Sequence, residues 1–193
     1  MIVISPEHTV IREAYWINQL LENDLGIYHI RKYHFDDIEM MGYIQAIDVQ
    51  FRNKITLHSH HHLAQKLTIE RLHFNETARV NNLYLGYAKD FILSTSVHSI
   101  KDFNTLDTCW DYAFLSPVFP GISKPDYGTS ATVLEDIKHR TNHHVQLIGL
   151  GGISKDNLKK VLEYGADGIA LSGSVWQSQN PLNSFLQCRQ TDR

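Results

Sequence analysis

The feature that most constrains this chain is an alternation. Short apolar runs of three to five residues are each followed by a segment with helical or turn character, eight times along the sequence. Ile2-Val-Ile4 stops at Ser5-Pro6, a strand and a turn. From 9 to 22, Ile11, Ala14, Tyr15, Ile17, Leu20 and Leu21 recur at three- and four-residue spacings, the period of one helix face. The same reading places strands at 27–31, 54–58, 71–74, 91–95, 112–115, 145–149 and 168–171, and helices at 35–51, 62–67, 99–106, 130–141, 155–164 and 181–188. Asp36 and Asp37 suit the positive end of a helix dipole, Ser99, Ser130 and Ser154 read as N-caps, and Gly165 sits just past a helix end. Strands that alternate with helices pair in parallel through right-handed crossovers, and eight such units close into a (β/α)8 barrel. The expected fold class is therefore α/β: a single, compact (β/α)8 TIM barrel spanning residues 1–193, with thin helical cover after strands three and four. A doubly wound open sheet is the alternative.

Composition narrows the function. Lys plus Arg is 18 against 21 Asp plus Glu, a net charge of −3, which removes the electrostatic case for a nucleic-acid or membrane-surface binder. The start, Met1-Ile-Val-Ile-Ser5-Pro6, has no basic segment before an apolar run, so no signal peptide is expected. No stretch approaches the roughly 20 apolar residues of a membrane helix. Two cysteines cannot build a disulfide scaffold, and a cytoplasmic location is expected. Assembly into a homo-oligomer stays open.

In a barrel of this kind, chemistry gathers at the C-terminal ends of the strands. The sequence places there His29, Arg31 and Lys32, then His58, Asn75, Ser96, His98 and Ser116, then Gly151, Gly152, Ser172 and Gly173. This set is rich in nitrogen donors and poor in carboxylates, which suits an anionic small molecule. The glycine turns after strands seven and eight, at Gly151-Gly152 and Ser172-Gly173, stand where such barrels commonly hold a phosphate. Arg31 and Lys32 offer a planar fork and a point charge for an anion. His98, just past strand five, is of the residue type that moves protons near neutral pH. His58, His60, His61 and His62 crowd one segment, but successive residues of an extended chain alternate faces, so no metal site is expected from the run. The long segment 119–128, carrying Ser123 and Lys124, reads as a candidate lid that would bring both to the substrate.

The chain resembles the thiamine-phosphate synthase family, which includes the TenI-type thiazole tautomerases. The resemblance is carried by Tyr28-His-Ile-Arg-Lys32, Ser96-Val-His-Ser99, Asp111-Tyr-Ala-Phe-Leu-Ser-Pro-Val-Phe119, Ser123-Lys124, Ile148-Gly-Leu-Gly-Gly-Ile153 and Gly165-Ala-Asp-Gly-Ile-Ala170. It implies that Arg31 and Lys124 contact a diphosphate, and that the two glycine turns hold a thiazole phosphate. It implies for the synthase a magnesium ion held by the Asp of an Asn-Asp pattern after strand three and by an acid after strand four. This chain has His58-Ser59 and Ala78 at those places. A hard cation needs oxygen ligands, usually one or two carboxylates. The resemblance therefore points first to the metal-free branch, in which His98 acts as general acid/base on a phosphorylated thiazole, with no cofactor. The synthase, with Mg2+, and a non-catalytic binder of thiamine phosphate are the alternatives.

Overall fold

The computed structural model describes residues 1–121 and 132–191. Eight parallel strands close on one another in sequence order: β1 (Ile2–Ile4), β2 (Ile27–Ile30), β3 (Ile55–Leu57), β4 (Arg71–Phe74), β5 (Ile92–Val97), β6 (Tyr112–Leu115), β7 (Gln146–Leu150) and β8 (Gly168–Leu171). The ring shuts where Ile2 and Val3 of β1 pair with Ala170 and Leu171 of β8. The barrel expectation is met strand for strand, and the open sheet is not.

Helices coat the outside: α1 (Glu13–Glu22), α2 (Asp37–Gln45), α3 (Glu76–Val80), α4 (Ile100–Asn104), α5 (Leu158–Glu163), α6 (Gly173–Trp176) and α7 (Pro181–Thr191). After β3 the cover is one 3-10 turn, His61–Leu63, and after β4 only the five residues of α3. Asp36 caps α2 in a reciprocal box with Glu39, and Ser99 caps α4 by accepting from the Asp102 amide. No helix of the described residues is long and apolar enough to cross a membrane.

Some expected bounds shift, each for a visible reason. The first helix begins at Glu13 rather than Thr9 because the Glu13 carboxylate accepts from the Val10 amide and turns the chain there. The helix expected at 155–164 starts at Leu158. Asn157 holds the preceding turn by accepting from the Ser154 amide and donating to the Gly152 carbonyl. The helix expected at 130–141 is, over its described part, a 3-10 turn at Glu135–His139. The chain leaves it at Arg140, whose guanidinium reaches the Asn142 and Val145 carbonyls and Asp167. The proposed Ser130 cap lies outside the described residues.

Side chains alternate along each strand, so every strand has an outer and an inner row. Outward residues such as Val3, Tyr28, Ile30, Leu57, Leu72, Leu93, Ala113, Leu147 and Ile169 pack under the helices in the main core. The inner rows divide the barrel in two. On one side Ile2, Ile4, Tyr112, Phe114, Ile148 and Ala170 form a separate apolar cluster. On the other, β2 to β5 send in His29, Thr56, His73 and Ser94, all buried. Buried polar groups require partners, and these find them inside the barrel: His73 Nδ1 lies 2.9 Å from Ser94 Oγ, and His29 Nε2 lies 2.7 Å from Tyr112 OH across the barrel.

Two glycines fix the chain at the top of β7. Gly151 and Gly152 have φ of +104° and +62°, the left-handed region that glycine enters without cost. A Cβ on Gly152 would stand 2.2 Å from the Pro120 carbonyl oxygen and 2.7 Å from Phe119 Cβ. Gly152→Ala should therefore cost roughly 2–4 kcal/mol of stability, the sum of a strained backbone and an overlap with main chain. Urea unfolding checks this; a change below about 0.5 kcal/mol would contradict the packing described.

Candidate active site

The strand ends surround a cleft of about 440 Å³, the size of a small-ligand pocket. Arg31, Ser96, His98, Gly151, Gly152, Ser172 and Gly173, all expected from the sequence, line it together. These residues converge because the barrel brings the ends of β2, β5, β7 and β8 to one rim.

Arg31 follows β2 at an inward position, and its amide donates to the buried Ser5 hydroxyl at 2.8 Å, which pins the strand end. Among the described residues, the Arg31 Nε is buried without a hydrogen-bond partner, and so is the Ser174 Oγ. Both residues line the cleft. Buried donors left unpaired are costly, and an anion in the cleft would relieve both. His98 stands exposed at the rim, with its Nδ1 3.0 Å from the Ser116 carbonyl. A carbonyl only accepts, so Nδ1 carries the proton, and in the neutral ring Nε2 is then the basic nitrogen.

Two expected contacts are placed elsewhere. Lys32 is fully buried and turned away from the cleft: its ammonium lies 3.0 Å from the Glu13 carboxylate and 3.1 Å from the His8 carbonyl. The alternation of β2 continues past its end, so Arg31 faces in and Lys32 faces out under α1. His29 is also fully buried and lies beneath the cleft instead of lining it, its Nδ1 2.8 Å from His58 Nε2. Ser123 and Lys124, with most of the candidate lid, lie outside the described residues.

His58, placed at a strand end by the sequence, lines the cleft as well, whereas Glu7, Tyr33, His73 and Ser174, which also line it, were not selected. Of these, His73 was legible. Leu72 and Phe74 are apolar on β4, so the residue between them points inward. Burial pulls the imidazoles of His29 and His58 well below the usual histidine range, and His73 down to about 3. The histidine ring carrying the cleft floor is therefore neutral.

The residues do not suit magnesium. Glu7 and Glu76 are the carboxylates among the described residues that line the cleft, and Glu76 already pairs with Arg79 at 3.5 Å. At the two places where the resemblance implies acids, the chain carries Ser59 and Ala78.

The family model described as thiamine monophosphate synthase matches residues 1–175. The thiamine-phosphate synthase of Anoxybacillus flavithermus is 33% identical over 121 residues, covering 61% of this chain and 55% of that one. The thiamine-phosphate synthase of Bacillus velezensis is 30% identical over 95 residues, covering 48% and 42%. The matched segment thus spans about half the length of these curated relatives. The crystal structure of thiamine phosphate pyrophosphorylase from Bacteroides thetaiotaomicron superposes with a TM-score of 0.82 at 22% identity, covering 100% of this chain and 96% of that one. At that identity the likeness speaks for the fold. With the family model running from the first strand through β8, this chain belongs to the thiamine monophosphate synthase family.

Proposed function

We propose that the chain is an enzyme of thiamine biosynthesis that binds a thiazole phosphate in the cleft and moves a proton on the thiazole ring through His98. The observation that carries this reading is the pairing of a proton-transfer histidine with unpaired anion donors in one cleft, whose carboxylates among the described residues are Glu7 and the Arg79-paired Glu76. The phosphate would lie against Gly151, Gly152, Ser172, Gly173 and Ser174, and the carboxylate or ring would lie toward Arg31. His98, held by the Ser116 carbonyl, takes a proton at Nε2 and returns one to another ring atom. No metal is needed for this step, and aromatisation of the ring drives it.

The names of the curated relatives favour a second reading, the synthase, which joins hydroxymethylpyrimidine diphosphate to a thiazole phosphate. Magnesium separates the two. Incubated with both synthase substrates, the protein should form little thiamine phosphate by mass spectrometry, with or without Mg2+. Given the non-aromatic thiazole phosphate carboxylate, it should aromatise it at a rate indifferent to Mg2+. Robust magnesium-dependent formation of thiamine phosphate would overturn the tautomerase reading in favour of the synthase. Binding without turnover in either assay would leave a regulatory binder of the phosphate.

A further inference from the structure

Below the proposed proton-transfer site lies a cluster that the reaction above does not use. We propose that His29, His58 and His73 form a three-histidine site for a divalent transition metal of the zinc class, at the floor of the cleft, with its fourth position open to that cleft.

The three residues come from separate strand ends. His29 is an inward residue of β2, His58 follows β3, and His73 is an inward residue of β4. All three are buried, and each offers a ring nitrogen such that the three atoms lie within 4.8 Å of one another. A tetrahedral zinc ion with Zn–N distances of about 2.0–2.1 Å sets its ligand nitrogens about 3.4 Å apart. The closest approach here, His29 Nδ1 to His58 Nε2, is 2.8 Å. An ion inserted there would open this pair slightly and draw His73 in. The ring centroids are 5.0 Å (His29–His58), 5.6 Å (His29–His73) and 4.1 Å (His58–His73) apart, so the rearrangement is one of ring tilt within the cluster.

Metal-bound histidines almost always keep a hydrogen bond at the second ring nitrogen, which fixes tautomer and orientation. Each of these rings has such a partner. His29 Nε2 is 2.7 Å from Tyr112 OH, His73 Nδ1 is 2.9 Å from Ser94 Oγ, and His58 Nδ1 is 3.5 Å from Tyr33 OH. The bonds given up are the one between His29 and His58 and the one from His73 Nε2 to Ser96 Oγ, 3.0 Å. Desolvation keeps the rings neutral, so their lone pairs are available near neutral pH.

The donor set decides which metal. Imidazole suits zinc, copper, iron and nickel, whereas magnesium wants oxygen. His58 and His73 line the cleft and His29 lies beneath it, so the remaining position faces the ligand space. Arg31 shares that space and opposes a bare cation. The bound ion would therefore carry an anion in its fourth position, a hydroxide or an oxygen of the bound substrate. The site stands on its own geometry and does not depend on the tautomerase reading.

Cobalt(II) reports the site directly, because four-coordinate Co2+ absorbs strongly in the visible where six-coordinate Co2+ is nearly colourless. Chelator-treated protein should take up a single Co2+ per chain with that strong visible band, and Zn2+ should displace it. His58→Ala and His73→Asn should each weaken uptake about 100-fold or more and abolish the band. His60 and His62 lie near Asp37 at 3.9 and 3.0 Å, a second place for an adventitious ion. The His60→Ala/His62→Ala variant should therefore keep both the band and the affinity. Should the buried variants fail to fold, X-ray absorption of the zinc-loaded wild type decides, with three imidazoles expected around zinc. No stoichiometric uptake, a weak six-coordinate spectrum, fewer than three imidazoles, or uptake lost with His60 and His62 would each overturn the site.

Discussion

Lys32→Met should cost about 3–5 kcal/mol of stability, the penalty for leaving a buried charge without its partner. Both ends of the pair are sealed: the Lys32 and Glu13 side chains are 0% and 1% exposed. Glu13 accepts from Lys32 Nζ at 3.0 Å, from the Val10 amide at 3.0 Å and from Tyr43 OH at 2.5 Å. Burial lowers the Lys32 ammonium from its ordinary range, and the hydrogen bond and charge of Glu13 pull against that shift. Burial, with Glu13 nearby, raises the Tyr43 and Tyr28 phenols well above theirs, so both stay protonated and Lys32 remains the counter-charge. Removing it strands a carboxylate under α1. Replacing both partners should recover most of the loss, because a buried ion pair exchanged for neutral groups of similar volume is close to neutral. Urea unfolding of Lys32→Met and of Glu13→Gln/Lys32→Met reads both effects. A single variant within about 1 kcal/mol of wild type would show that the pair is not sealed as described. Where the variant is folded, its ligand affinity should be unchanged, since Lys32 does not line the cleft.

The same residue shows what the sequence could and could not say. Strands were legible because their apolar residues are local and contiguous. Inner and outer faces follow from alternation once one residue is placed: Tyr28 and Ile30 outward set His29 and Arg31 inward, and then Lys32 outward. Reading Lys32 as a ligand contact treated two adjacent residues as sharing a face, which extended chain forbids. The histidine cluster was hidden for a different reason. The local run His58 to His62 drew attention to residues that do not converge, while His58 meets His29 and His73 from strands far away in sequence. Convergence of that kind is set by barrel closure and register, and no spacing rule within one segment reports it. The helix expected at 130–141 failed where Arg140 had better partners outside a helix, a tertiary choice that local propensity does not contain. The short helices α3 and α6 have too few residues to show a period at all.

His98→Ala should slow the proposed thiazole tautomerisation by about two to four powers of ten, the span a positioned acid/base group contributes. The expectation follows from where the proton sits. The Ser116 carbonyl, 3.0 Å from Nδ1, fixes that nitrogen as the donor and leaves Nε2 the proton acceptor of the neutral ring. An imidazole can both accept and donate a proton, so one group can take a proton from one ring atom and deliver it to another. His98→Gln should fail to a similar degree, since an amide preserves hydrogen bonding and polarity but cannot cycle a proton. Neither variant should disturb the barrel: His98 is exposed at the rim, outside the buried core. Phosphate affinity should also persist, because the proposed phosphate contacts, Gly151, Gly152, Ser172 and Gly173, belong to the β7 and β8 ends and not to β5. The loss should thus fall on kcat with KM nearly unchanged, the signature of an interaction made in the transition state. Single-turnover ultraviolet absorbance of thiazole aromatisation, with wild type and both variants, measures it. Equal rates in all three would remove His98 from the chemistry, while a raised KM at unchanged kcat would make it a binding residue.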